Sequence, residues 1–128
     1  MNYLLDTHIF LWMISEPSKL SDKVKKILIN TKNTIYFSAA SGLEIIIKSQ
    51  IGKLTLPEKP EKYIIQQLKK NSIISLNITL SHALMVNTLP NIHKDPFDRI
   101  LIAQAITEKI PIITFDANIS KYDLEIIW

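Results

Sequence analysis

Five short apolar runs, at residues 3–6, 35–38, 73–76, 111–115 and 124–128, are separated by segments long enough for helices. Short runs that are apolar on both faces, alternating with helices of about ten or more residues, predict a mostly parallel sheet covered on both sides. The expected fold class is therefore α/β, a three-layer α/β/α sandwich. A chain of 128 residues is long enough to bury roughly two-thirds of its unfolded surface around one core, so a single domain over residues 1–128 is expected.

The segments between the runs carry helical patterns. Leu20, Val24, Ile27 and Leu28 recur at helical spacing with lysines between them, and Ser18 or Ser21 is placed to cap a helix over about 19–31. "AASGLEIIIKSQIGKL" puts Leu43, Ile46, Ile47 and Ile51 on one helical face and ends near Gly52. "EKYIIQQLKKN" is a further amphipathic helix beyond Pro57 and Pro60, and residues 81–87 form another. "HKDPFDRILIAQAITEK" opens with Asp95 as N-cap and Pro96 at the first helical position, with Phe97, Ile100, Leu101 and Ala105 as its expected buried side.

Composition narrows the chemistry. The absence of cysteine excludes disulfides and thiolate metal sites, leaving carboxylates and three histidines as ligands, so any bound metal should be hard. The net charge of +3 resides in a lysine surplus that permits phosphate-rich partners without requiring them. Uncharged apolar runs only a few residues long fit neither a membrane span nor a secretory signal, and a cytoplasmic protein is expected.

In open parallel sheets the binding crevice lies outside the carboxyl ends of the strands. Asp6 ends the first run, Asp116 follows the fourth, and Glu44 and Asp98 lie early in helices. Each has a structural explanation. Asp6 and Asp116 are placed to cap helices, Glu44 to pair with Lys48 at i,i+4, and Asp95 with Asp98 to complement a helix dipole. Taken together, four carboxylates in one crevice would repel one another unless a cation neutralised them. Oxygen ligation suits Mg²⁺ or Mn²⁺, which retain waters and recruit phosphate as a further ligand. The implied reaction is metal-assisted phosphodiester hydrolysis.

"YLLDTHIFLW", "SAASGLEIIIK", "HKDPFDRILIAQA" and "PIITFDANISKY" occur in the order and spacing of PIN-domain ribonucleases. Over nearly its whole length the chain resembles the VapC-like toxins of type II toxin–antitoxin modules. The resemblance implies a parallel sheet flanked by helices and an acidic cluster that binds Mg²⁺ or Mn²⁺ to cleave RNA. It carries the four acids onto Asp6, Glu44, Asp98 and Asp116, with Asp95 as an accessory acid ranked below them because capping already explains it. Thr7 and Thr114 match small hydroxyl residues that orient a carboxylate or water. Gly42-Leu43 stands where the family usually has a bulky aromatic residue before the glutamate.

For Arg99, the sole arginine, the resemblance leaves open a carboxylate or substrate-phosphate partner and a surface salt bridge. His8, His82 and His93 are expected to be packed and hydrogen-bonded rather than catalytic. The resemblance also implies a homodimer and a cognate antitoxin packed into an apolar groove, while the Ile45-Ile46-Ile47 run fits either an interface or the core.

Rival readings are weaker. Aspartyl-phosphate phosphatases need a second acid two residues after the first, and here that position is His8. Gly42 and Gly52 form neither a P-loop nor a dinucleotide-binding pattern. The remaining alternative is a non-catalytic PIN-like module that binds RNA or protein.

Overall fold

A short, almost entirely buried strand, β1 (Asn2–Leu5), forms the middle of a five-stranded sheet. A computed structural model describes residues 1–128. After β1 come α1 (Thr7–Ser15), α2 (Asp22–Ile29), β2 (Thr34–Ser38), α3 (Ala39–Gln50) and α4 (Pro60–Lys70). Then follow β3 (Ile74–Leu76), α5 (Leu80–Met85), α6 (Pro96–Glu108), β4 (Ile112–Ile113) and β5 (Ile126–Ile127). The strand order is β3-β2-β1-β4-β5, and every pairing is parallel. The expected α/β/α architecture is present, with all the strands parallel.

Period-two alternation divides the core into two layers. Leu5 and Ile113 face one side, against Ile9 and Phe10 of α1, Val24 of α2, Ile45 of α3, and Ile64 and Leu68 of α4. Leu4 and Ile112 face the other, against Leu101, Ile102 and Ala105 of α6. Each fully buried Leu or Ile contributes roughly 1.5–3 kcal/mol relative to exposure. Several elements are shorter than their sequence patterns. The two carboxyl-terminal strands retain only two paired residues each, and the helix expected over about 19–31 splits into a 3₁₀ turn at Pro17–Lys19 and α2, capped by the Ser21 hydroxyl accepting from Val24 N–H at 3.2 Å.

Two helices bury different faces from those the patterns indicate. On α3 the apolar stripe points outward, leaving Leu43, Ile47 and Ile51 exposed, while Ala40, Ser41, Glu44 and Ile45 are buried. The isoleucine run therefore divides, with Ile45 in the core and Ile47 at the surface. On α6, burial extends through Asp98, Leu101, Ile102, Ala103, Gln104 and Ala105, while Phe97 and Ile100 are only half-buried. Small residues on these faces let both helices approach the sheet closely. Gln104 is accommodated because its side-chain oxygen accepts from Ser38 Oγ and its amide donates to the Asn77 carbonyl. This links α6 to the carboxyl end of β2.

Candidate acidic site at the carboxyl edge of the sheet

The site begins with register. Leu5 of β1 lies beside Ile113 of β4, so the next residues, Asp6 and Thr114, leave the sheet side by side. Thr114 Oγ1 donates to Asp6 Oδ2 at 2.8 Å and accepts from Asp116 N–H at 3.0 Å. One hydroxyl thus ties the first acid to the loop that carries the fourth. Asp6 occupies the N-cap position of α1 but makes no side-chain cap. Its Oδ1 is buried and has no hydrogen-bond partner, an arrangement that costs free energy unless something else satisfies the oxygen.

Glu44 reaches the same region from α3. Thr7, the first residue of α1, donates through Oγ1 to Glu44 Oε1 at 2.8 Å, and its hydroxyl lies 2.8 Å from Ser41 Oγ. Glu44 Oε2 receives the Lys48 ammonium at 2.7 Å. The i,i+4 pairing is therefore real, and it engages the second oxygen of a nearly buried carboxylate. Leu43 is exposed and a Cβ at Gly42 would only touch Phe37 at 3.6 Å, so departure from the aromatic pattern alters the outer face of α3 rather than the setting of Glu44.

Asp98 lies in the first turn of α6. Asp95 caps that helix, its Oδ1 accepting from Phe97 N–H at 2.9 Å and from Asp98 N–H at 3.2 Å. The Asp98 carboxyl is pushed up to about 8, first by burial and then by the negative charges of Asp6, Asp95, Asp116 and Glu44. The acids thus share one field. Asp6 is raised as well, chiefly by burial, against the opposing effects of the Thr114 hydrogen bond, His8 and the Thr7 N–H, while Asp116 adds to the rise. Asp116 Oδ1 accepts from Asn118 N–H at 2.7 Å and holds the loop into the 3₁₀ turn Ile119–Lys121.

Arg99 pairs with no carboxylate and forms no surface salt bridge. Its Nη1 donates to the Pro90 carbonyl at 2.9 Å and to Tyr122 Oη at 3.0 Å, and its Nη2 donates to the Val86 carbonyl at 3.3 Å. The guanidinium fastens the loop before α6, because it adds charged donors to carbonyls of a segment that otherwise makes only short-range turn bonds. His93 is hydrogen-bonded as expected, but one partner is a site acid: Nε2 lies 3.2 Å from Asp98 Oδ2 and Nδ1 lies 2.8 Å from Tyr122 Oη. Sequence reasoning missed this contact, for which the five-residue spacing across an N-cap was the available signal. His82 is buried and completes the cap of α5, with Nε2 3.0 Å from Glu108 Oε2. His8 is not packed. It is exposed and, with Asp6, Asp116, Ile9, Trp12 and Phe115, lines a pocket of about 160 Å³.

The donor set fits a hard divalent cation. Its four acids offer carboxylate oxygens, one of them buried without a partner, in a field that already disfavours negative charge. No three His, Asp or Glu side chains are gathered tightly enough to chelate an ion unaided.

The fold has close counterparts. VapBC2 from Rickettsia felis, solved bound to a DNA fragment from its promoter, superposes with a TM-score of 0.75 at 17% identity, covering 99% of this chain and 98% of that one. DNA-bound VapBC from Salmonella typhimurium gives 0.71 at 15% identity over 99% and 97%. VapBC-5 from Mycobacterium tuberculosis, a member of the VapBC family of toxin–antitoxin systems, gives 0.61 at 15% over 98% and 97%. No curated protein matches the chain. The PIN domain family model matches residues 3–125, and with nearly the whole sequence inside that match, the chain belongs to the PIN-domain family.

Proposed function

We propose that this protein is a Mg²⁺- or Mn²⁺-dependent ribonuclease that hydrolyses RNA phosphodiester bonds as the toxin of a toxin–antitoxin pair. The observation that carries this reading is the buried, unpartnered Asp6 Oδ1 within a field shared with Glu44, Asp98 and Asp116. A hydrophobic edge would bind no cation, and fully satisfied acids would need none.

Asp6, Asp98 and Asp116 would hold the metal largely through its waters, with Glu44, paired to Lys48, beside them. When bound, the ion supplies a water of lowered pKa and neutralises the phosphodiester oxygens. The chain's own residues do the positioning. Thr114 orients Asp6, Thr7 orients Glu44, and His93 with Tyr122 fixes the rotamer of Asp98. Lys48, already at the site, is available to a substrate phosphate as a point charge.

The partner reading follows from likeness to the VapBC complexes and from exposed apolar surface. Leu43, Ile47 and Ile51 on α3 offer a face for a second copy of the chain, and the groove of about 470 Å³ lined in part by Leu11, Trp12, Ile14, Leu54 and Leu56 offers one for an antitoxin segment. No helix is long and apolar enough to cross a membrane, and the proposed setting is the cytoplasm. Purified wild type should cut RNA only with divalent metal, and Asp6→Asn should not cut. Cleavage that persists in excess EDTA or in the variant refutes the metal mechanism, whereas a wild type that cuts no RNA with either metal leaves the non-catalytic module as the reading.

A further inference from the structure

Phe115 stands between Thr114, which holds Asp6, and Asp116, yet the residue is 65% exposed. A large aromatic side chain this exposed gains little from folding. It is nevertheless held in place, with its ring centroid 4.9 Å from that of Trp128 and 6.4 Å from that of Trp12. Trp12 and Trp128 lie 5.9 Å apart and close the cluster. The ring also borders the pocket that contains Asp6 and Asp116. Adjacent Cα atoms are only about 3.8 Å apart, so the aromatic surface is within about one nucleotide of any phosphate held by these acids.

We propose that Phe115, backed by Trp12 and Trp128, is a stacking platform for one unpaired base next to the cleaved phosphate. This deepens the ribonuclease reading and rests on it. A base inside a duplex is covered by its neighbours on both faces, so only an unpaired or extruded base can lie on the ring. Stacking tolerates every base because each has a π face, so the platform selects strandedness more than sequence. Exposed His8, on the same pocket, adds a second planar group beside the base. An apolar peptide segment is the competing occupant. The observations favour a base because the ring shares its pocket with two carboxylates, which a purely apolar segment would have to desolvate.

The chain has two tryptophans and both are in this cluster, so intrinsic fluorescence reports on it directly. The experiment titrates wild type, Phe115→Ala and Phe115→Tyr with a short mixed-sequence oligoribonucleotide and with the same strand in a full duplex. Ca²⁺ replaces Mg²⁺ to slow cutting, and KM and kcat are then measured with Mg²⁺. The single strand should quench wild-type emission and the duplex should not. Phe115→Ala should weaken binding about 5- to 100-fold and raise KM with kcat largely kept, while Phe115→Tyr restores both. Equal quenching by duplex, or unchanged affinity and KM in Phe115→Ala, overturns the platform and returns the ring to protein contact, even if wild type cuts RNA. Strand-selective quenching that depends on Phe115, in a wild type that cuts nothing with any metal, sustains the platform and sinks the nuclease reading instead.

Discussion

Two helices of this protein, α1 and α6, have an aspartate at the N-cap position, and the two aspartates do opposite things. Asp95 spends Oδ1 on the backbone N–H groups of Phe97 and Asp98 and stays at the surface. Asp6 occupies the same position on α1, caps nothing, and lies buried with Oδ2 on Thr114 and Oδ1 on no partner. The first arrangement stabilises a helix. The second forgoes that stabilisation and retains a desolvated carboxyl group, which is how proteins hold groups poised for a ligand. An acid's place in the sequence relative to a helix is thus a poor guide to its role; the partners of its two oxygens are a better one.

The comparison breaks most sharply at Asp6→Asn. Cleavage should fall by about three orders of magnitude or more, the several kcal/mol that metal-held charge stabilisation supplies. Thermal stability should stay level or rise, since a buried charge is removed. A variant with wild-type cleavage would mean that Asp6 is only a failed cap.

Thr114→Val keeps the shape and deletes the donor to Asp6. It should cost about 1–3 kcal/mol in denaturant unfolding, the penalty of leaving a buried acceptor unsatisfied, and reduce cleavage without changing the metal requirement. Retained stability would show that Asp6 finds other partners.

Asp98 supplies a pH test. Its carboxyl sits near 8 in the folded, metal-free protein against a reference of 3.8. Between those values the folded state binds the extra proton, so the slope of unfolding free energy with pH is negative. The group's stability contribution is therefore greatest below about pH 4 and is lost as pH rises toward 8. Melting of metal-free protein should show this decline, Asp98→Asn should flatten it, and Mg²⁺ should raise Tm more at the alkaline end, where the carboxylate is ionised. A Mg²⁺ effect independent of pH would separate Asp98 from the metal.

The smallest expected effect belongs to Asp95→Ala. Loss of the cap should cost about 1 kcal/mol in equilibrium unfolding while cleavage persists. A collapse of activity at undiminished stability would promote Asp95 from cap to ligand.

Much of this was legible along the chain. Short doubly apolar runs determine a parallel sheet because a strand buried on both faces has no polar side to show. The same pattern marks where strands end, and hence that Asp6 and Asp116 lie at the edge where ligands bind. Other features depended on distant partners. The stripe of Leu43, Ile47 and Ile51 is regular enough to read as buried, but the sheet lies on the side of Ala40, Ser41 and Glu44. Arg99 was sought among charges and is held by carbonyls of residues 86–93, whose placement depends on the path of the loop.

What the sequence alone determined, then, is the alternation of strand and helix, the N-cap of α6 and the points at which acids leave the sheet, because these depend on periodicity and neighbours a few residues away. What only the tertiary structure decided is which oxygen of which acid is satisfied. Thr114 reaches Asp6 across 108 positions of sequence and Thr7 reaches Glu44 across 37. Such pairs exist only after parallel strands have aligned their carboxyl ends, and a carboxylate's burial and charge are set by everything brought around it.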